Sequence, residues 1–245
     1  FSGMVHGLII IPTFNEIENI ERLIRNIFSQ RRNFHILVVD DNSPDGTATR
    51  VRTLQAEFSE QLFLEERKEK TGLGTAYIHG FKWALKREYD YIFEMDADFS
   101  HNPNDLSRLY NACRREGADL AIGSRYVTGV NVINWPMNRV LMSWLASKYV
   151  QAITGMDIHD TTAGYVCYKR EVLERIKLDK IQFVGYAFQI EMKFKAHLLG
   201  FKITEVPVIF TDRTRGTSKM SGSIIYEAVF GVIKMKVKSL FNRIK

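Results

Sequence analysis

Asp96 and Asp98 stand one residue apart, with Ala97 between them and the apolar run Tyr91, Ile92, Phe93 a few residues before. Just past a strand, two carboxylates at this spacing could address one hard cation. Magnesium and manganese are commonly held by one or two carboxylates plus substrate phosphates, which suits a nucleotide diphosphate. An Asp-x-Asp at a strand end also occurs as a plain solvated turn. A second candidate, Lys70-Thr71-Gly72-Leu73-Gly74-Thr75-Ala76, has glycines before a helix that could offer backbone amides to an anion. Its sixth Gly-x-Gly-x-x-Gly position is Tyr77, it comes late in the chain, and no Walker-type Gly-Lys-Ser/Thr follows, so helix entry and close packing are expected instead. Cys113 and Cys167 have neither zinc-ligand nor disulfide spacing and are expected to be buried free thiols.

The elements that must hold these residues alternate. An apolar strand at 7–11, stopped by Pro12, leads into a helix with Ile17, Ile20, Leu23, Ile24, Ile27 and Phe28 on one face and Asn15 as its N-cap. A strand at 36–39, turn residues at 40–46 and a helix from about Thr47 follow, with Val51, Leu54 and Phe58 turned inward. The spacing then predicts strands at 62–64, 91–95 and 120–122 and helices at 75–86 and 103–115. Beyond Arg125 the alternation loosens into a helix at 138–153, a loop at 155–164 and a helix at 187–199, the half expected to receive an acceptor. Short apolar runs alternating with helices imply an α/β domain, a mainly parallel sheet flanked by helices. Ligands of such sheets bind at the carboxyl ends of strands. Residues 13–16, Asp40 with Asp41, and Asp96 with Asp98 fall at three such ends.

Four clusters follow one another along the chain: Pro12-Thr13-Phe14-Asn15-Glu16, Asp40-Asp41-Asn42-Ser43-Pro44-Asp45-Gly46, Asp96-Ala97-Asp98-Phe99-Ser100-His101 and Gly123-Ser124-Arg125-Tyr126. With Asn134-Trp135-Pro136, Asp160-Thr161-Thr162-Ala163-Gly164-Tyr165 and Asp212-Arg213-Thr214-Arg215-Gly216-Thr217-Ser218-Lys219, the ordered set resembles the dolichyl-phosphate (polyprenyl-phosphate) mannose synthases. These are inverting glycosyltransferases of family 2 with the Rossmann-like GT-A fold. The resemblance runs from about Val5 to about Gly222. It implies that Pro12, Phe14, Glu16, Val39 and Asp41 surround the nucleobase and ribose. Phe14 stands where the family often has Tyr, which keeps an aromatic face and loses a hydroxyl. Without the resemblance, Pro12 and Phe14 are a strand end and a core aromatic. Asp41 would be an Asx-turn, a task that Asp40 could take instead. Asp96, Ala97 and Asp98 match the metal and diphosphate segment, and Ser100 falls where some members place Gln as a further metal or phosphate contact. Arg213 and Lys219 match the basic positions of a loop over the donor diphosphate; such a charge run is otherwise most often solvated surface.

The same resemblance assigns Arg125, Arg139 and Ser143 to an acceptor phosphate, with Arg125 placed to contact both phosphates. Two arginines and a hydroxyl are the right chemistry for that ligand, although Arg139 alone would pass for an exposed helix residue. An alcohol acceptor must lose a proton and calls for a positioned base. A phosphate monoester, with a second pKa of about 6, is already anionic near neutral pH and needs mainly to be held in line. Asp160 is therefore expected to position other groups rather than to act as a base.

The chain has 245 residues, 45% of them hydrophobic, enough for one well-cored domain, and no linker or repeat divides it. The expected division is a catalytic domain at 4–222, a basic amphipathic helix at 223–245, and a cloning scar at 1–3. That last helix spaces Ile224, Ile225, Val229, Val232, Ile233, Leu240, Phe241 and Ile244 among Lys234, Lys236, Lys238, Arg243 and Lys245. It could lie on anionic lipid or dock on its own domain. No stretch approaches the roughly 20 apolar residues of a spanning helix, so a cytoplasmic protein peripheral to a membrane surface is expected, with a small integral-membrane partner as another means of attachment. A net charge of +6 without helix-turn-helix, zinc or ribonucleoprotein motifs argues against nucleic acid. The favoured reaction is mannose transfer from GDP-mannose to dolichyl or polyprenyl phosphate with Mg2+ or Mn2+. The rivals are glucose or N-acetylglucosamine transfer from a UDP-sugar to a lipid phosphate or glycan, and a non-catalytic nucleotide-binding module.

Overall fold

Leu8, Ile9, Ile10 and Ile11 are all fully buried, as a strand covered on both faces requires. Leu8 and Ile10 enter one apolar cluster, Ile9 and Ile11 the other, because successive side chains of a strand point to opposite faces. The computed structural model describes residues 7–30, 32–212 and 222–241, with residues 186 and 222–228 as backbone alone.

This strand is β1 (Gly7–Thr13), and the chain continues as α1 (Ile20–Ser29), β2 (Phe34–Asp40), α2 (Thr47–Gln55), β3 (Leu62–Glu66), α3 (Leu73–Leu85) and β4 (Tyr91–Glu94). After a 3-10 turn (Pro103–Asp105) come α4 (Leu106–Arg114), β5 (Leu120–Ser124), β6 (Val132–Ile133), α5 (Met137–Thr154), β7 (Val166–Lys169) and α6 (Arg170–Arg175). The last elements are α7 (Tyr186–Leu198), β8 (Ile203–Pro207), β9 (Phe210–Thr211) and α8 (Gly222–Phe241). Seven strands form one sheet in the order β3-β2-β1-β4-β7-β5-β8, and β6 and β9 form a separate parallel pair. Only β7 runs antiparallel to its neighbours in the large sheet. The chain lays β2 and β3 on one side of β1 and β4 on the other, so the strand order reverses between β1 and β4, where a ligand crevice opens at the carboxyl ends.

Close packing of α3 fixes that crevice from one side. A Cβ on Gly80 would sit 2.6 Å from Ile10, and one on Gly74 would sit 2.7 Å from Phe188. Gly72 adopts φ +111° before the helix, and the Gly74 amide is bonded to the Val184 carbonyl at 2.8 Å. The glycine-rich entry to α3 therefore serves packing, as expected. Both cysteines are free and buried.

Three expectations change. Asn15 does not cap α1, which starts at Ile20 after a turn; Asn15 instead takes φ 59°, and its amide bonds to Ser43. β1 continues through Pro12 to Thr13 because its pairing with β2 carries on to Asp40. β7 and β8 lie where no strand is expected, and β7 is the antiparallel strand that closes the sheet between β4 and β5.

Candidate functional site

The loops at the carboxyl ends of β1 and β2 are tied to one another by side chains. Thr13 donates to Asp40 at 2.7 Å, the amide of Glu16 to Thr47 at 3.0 Å, and the amide of Ile17 to Asp45 at 3.1 Å. Asp40 also accepts from the amide and hydroxyl of Ser43. Asp40 thus closes the turn, which leaves Asp41 for other work. The Asp41 carboxylate receives Arg67 through both oxygens, Nε at 2.6 Å and a terminal nitrogen at 2.8 Å, while Arg67 also reaches Thr75 at 2.8 Å. Phe14 is half-buried, with the Lys70 ammonium 4.5 Å from its ring centre. Pro12 and Glu16 are half-buried near it in sequence. Val39 is fully buried in the core, so only its backbone can face a nucleotide.

Asp96 and Asp98 lie past the end of β4, both partly exposed. Tyr77 donates to Asp96 at 3.2 Å, and burial raises its phenol well above 10, so it stays protonated as a donor. The Asp96 amide donates to Nδ1 of His101 at 3.1 Å. That assigns the His101 proton to Nε2, which faces the Asp96 carboxylate at 4.0 Å. Burial lowers the His101 pKa and so favours the neutral ring. Ser100 is buried, and its amide donates to Asp98 at 3.0 Å. Between them Phe99 sits at φ 62°, a conformation disfavoured for a bulky residue, with Arg22 4.4 Å from its ring centre. Beneath the pair, fully buried Glu94 accepts from Tyr168 at 2.9 Å and from Gln189, and fully buried Lys193 donates to the Ala163 carbonyl at 2.7 Å. Burial pushes the Glu94 pKa up and the Lys193 pKa down.

On the far side of His101 lies the half expected to receive an acceptor. His101 stacks on Tyr165 at 4.8 Å and meets the edge of Phe210 at 5.7 Å. Phe210 in turn packs against Trp135 at 5.3 Å. The Arg125 guanidinium lies 5.3 Å from the ring centres of Tyr126 and Trp135 and 5.5 Å from that of Phe210, and Arg139 lies 4.0 Å over Trp135. Asp160, with no exposed surface, accepts from the Arg125 amide at 2.9 Å, its Nε at 2.7 Å and a terminal nitrogen at 2.6 Å. Thr162 takes a further bond from Arg125 at 2.9 Å. Arg139 reaches Asp212 at 2.8 Å, both side chains being between a quarter and a third exposed. Ser143 is half-buried on the same helix. It lies near enough to Tyr126 to temper the upward push of burial on that phenol, though the two miss hydrogen-bond geometry.

Arg125 and Arg139 are thus brought together around one indole, and a continuous line of contacts runs from Asp96 through His101 and Phe210 to both. Arg213 and Lys219 lie outside the described residues. Arg67, Tyr77, Glu94 and Lys193 support the site without standing out by residue type or spacing as functional. Of these only Lys193 carries a sequence signal, since it falls three and four residues after Ile190 and Gln189, on the inward face of α7.

Residues 8–177 match the family described as Glycosyl transferase family 2. A curated relative, the polyprenol monophosphomannose synthase of Mycolicibacterium smegmatis, is 47% identical over 236 residues, 96% of this chain and 89% of the relative. Another, the undecaprenyl-phosphate mannosyltransferase of Micrococcus luteus, is 46% identical over 227 residues, 93% and 92% of the two chains. Among solved structures, glucosyl-3-phosphoglycerate synthase from Mycobacterium tuberculosis, in complex with Mn2+, UDP and phosphoglyceric acid, is similar with a TM-score of 0.67 at 18% identity, covering 96% of this chain and 78% of that one. A mannosyltransferase from Pyrobaculum calidifontis, in complex with GDP-Man and Mn2+, gives 0.60 at 18% identity, over 96% and 74%. These likenesses show the fold, and with the sheet order they bear out the GT-A expectation.

Burial alone would raise the Asp160 carboxyl, but the charge and hydrogen bonds of Arg125 outweigh it and hold the group below its ordinary 3.8. A depressed folded pKa contributes stability above the unfolded value, and that contribution is lost as pH falls through the folded one. Asp160→Asn should therefore destabilise the protein by roughly 3 kcal/mol near neutral pH, with the deficit against wild type narrowing below pH 3.8. Urea unfolding over a pH series checks this; a deficit that stays constant into acid would contradict the pairing.

Proposed function

The chain belongs to glycosyl transferase family 2, and from that premise we propose that it moves mannose from GDP-mannose onto the phosphate of a polyprenyl or dolichyl phosphate, with inversion at the anomeric carbon. The observation that carries this reading is the near-full-length likeness to two proteins named for that kind of transfer. The arginine cluster on the acceptor side agrees with it in chemistry.

On the donor side Pro12, Phe14, Glu16, the Val39 backbone and Asp41 receive the nucleoside, with Asp41 held by Arg67. Asp96, Ala97 and Asp98 face the diphosphate. Among the described residues no group of three or more His, Cys, Asp and Glu side chains could hold an ion unaided. A pair of partly exposed carboxylates fits magnesium or manganese, which keep water and phosphate ligands. When bound, such an ion neutralises charge on the departing diphosphate. Tyr77 and His101 support Asp96 and the Ser100 amide supports Asp98, while the short Ser100 hydroxyl is assigned a water-mediated contact to the metal or phosphate. Arg213 and Lys219 are assigned to the same diphosphate.

On the acceptor side Arg125, Arg139 and Ser143 hold the lipid phosphate, whose own anionic oxygen attacks. Asp160 is engaged by Arg125 through both oxygens, which supports a positioning role and not that of a base.

The lipid's tail needs a place outside the site. Among the described residues no helix is long and apolar enough to cross a membrane. α8 docks on its own domain through Val232 and Met235, with Phe183 against Gly231, yet it exposes Phe230, Ile233, Val237, Leu240 and Phe241. Two of its expected membrane cations are turned onto the protein, Lys236 to the Thr154 carbonyl and Lys238 to Gln182; Arg243 and Lys245 lie outside the described residues. α5 packs beside it, Tyr149 donating to the Val229 carbonyl at 2.8 Å. It exposes Met137, Leu141, Met142, Trp144 and Leu145, the helix that also carries Arg139 and Ser143. Each surface lysine contributes about 1 kcal/mol at an anionic leaflet, whereas burying a Leu, Met or Phe side chain contributes about 1.5–3 kcal/mol. Peripheral attachment is therefore assigned to the apolar faces of both helices, with charge as the lesser part.

Asp98→Ala should lower transfer by a factor on the order of 10²–10³ while changing stability by no more than about 0.5 kcal/mol. Product formation with magnesium or manganese, alongside a melting curve, checks it; near-wild-type turnover would remove the assigned role. Arg139→Ala should raise KM for lipid phosphate about tenfold or more and leave that for GDP-mannose within about twofold. Equal changes in both would take Arg139 out of the acceptor site. Sedimentation with neutral liposomes should persist at high salt and weaken about tenfold in the Leu141→Ser, Leu145→Ser double variant. Complete release by salt, or no loss in that variant, would return the attachment to charge or to a membrane partner.

A further inference from the structure

Two guanidiniums flank Trp135, and each meets a carboxylate, but the two pairs are built differently. Arg125 and Asp160 are buried together, joined by two side-chain bonds and one from the Arg125 amide. Exchanging that carboxylate for another anion would strand a charge inside the protein. Arg139 and Asp212 meet through one bond of 2.8 Å, with side chains 29% and 27% exposed. An ion pair this open is weak and exchangeable. Arg139 does not depend on Asp212 for its place, because its guanidinium lies 4.0 Å over the Trp135 ring and its amide caps back onto Asn138 and Pro136 in the first turn of α5. Asp212 is also anchored, its amide bonded to the Ile133 carbonyl at 3.1 Å beyond the β6–β9 pair. With the backbone held at both residues, exchange of the bond to Arg139 is a side-chain movement.

We propose that Asp212 is a stand-in anion for the acceptor: its carboxylate occupies the Arg139 guanidinium until the lipid phosphate displaces it, and so sets how tightly and how selectively phosphate is taken. This rests on the assignment of Arg139 to the acceptor. The exchange has a direction. A carboxylate carries one charge, and a phosphate monoester carries between one and two near neutral pH with three strong acceptor oxygens, so the monoester wins while singly charged weak anions do not. Arg125, fixed by Asp160, supplies the neighbouring positive charge in both states. Asp212 is thereby a positioning and specificity residue acting through Arg139.

Asp212→Asn keeps the side-chain volume and removes the competing charge. KM for a short-chain polyprenyl phosphate should fall about two- to fivefold, that for GDP-mannose should not move, and inorganic phosphate should inhibit more strongly by the same factor. Asp212→Glu, which restores a carboxylate, should return both values towards wild type. If Asp212 instead merely held Arg139 in place, Asp212→Asn would raise the acceptor KM; a rise, or no change, overturns the proposal. The Arg139→Ala background separates the two levels of the account. If Arg139→Ala raises the acceptor KM, the acceptor assignment stands, and Asp212→Asn should then have no further effect on it; a persisting effect would show that Asp212 does not act through Arg139. Should Arg139→Ala leave the acceptor KM unchanged, the acceptor assignment fails and this proposal with it.

Discussion

A carboxylate with no exposed surface, bound to an almost equally buried arginine, ties the proposed acceptor half of the molecule to its sheet. Asp160 precedes β7 and Arg125 follows β5, neighbouring antiparallel strands, so their contact joins two loops at one end of the sheet. Either charge alone would be costly at that depth, whereas together, with a backbone amide completing the carboxylate's bonds, they are compatible with it. The rest of the acceptor side is arranged on this pair. Tyr126, Trp135 and Phe210 gather about the Arg125 guanidinium, Arg139 lies over the same indole, and the Asp160 amide is itself held by Glu205 at 2.9 Å.

On the proposed donor side two neutral side chains stand beside the Asp96 carboxylate. Asp96 is met by a phenol and a neutral imidazole, which orient a carboxylate without cancelling its charge. A cation in their place would compete with any metal. Lys193, a fully buried ammonium, is directed to the Ala163 carbonyl and to Gln189. Arg125 and Arg139 meet at Trp135, where the acceptor phosphate is proposed to arrive.

Much of this was legible in the sequence because strand and helix periods are local. The runs of Ile and Val that became β1 and β2, and the Asp clusters at their ends, needed no knowledge of distant partners. What stayed hidden depends on contacts far apart in the chain. β7 is four residues long, and its place between β4 and β5 is set by pairing, not by its own pattern. Asn15 was a reasonable cap by type, but side chains of the β2 loop, Ser43 and Thr47, claim the amides around it. Arg67 stands 26 residues from Asp41, and no spacing rule reaches that far. Asp98 stands out by its spacing from Asp96, whereas Phe14, Arg125 and Arg139 are found through resemblance; the partners of all four had to be read from geometry. The terminal helix illustrates the limit in the other direction. Its lysines suggested charge, and only their bonds to Thr154 and Gln182 turn attention to the apolar side.

The central claim is that the attacking group is the phosphate of the acceptor and that no side-chain base is required. Purified protein, GDP-mannose and divalent metal should be incubated in parallel with a polyprenyl phosphate and with the polyprenol of the same chain length, and the products resolved by mass and by the coupling at the anomeric carbon. The account predicts a single product, the mannosyl phosphodiester of inverted configuration, formed from the phosphate and not from the alcohol. Mannose attached to the polyprenol, or a phosphodiester with retained configuration, would contradict it.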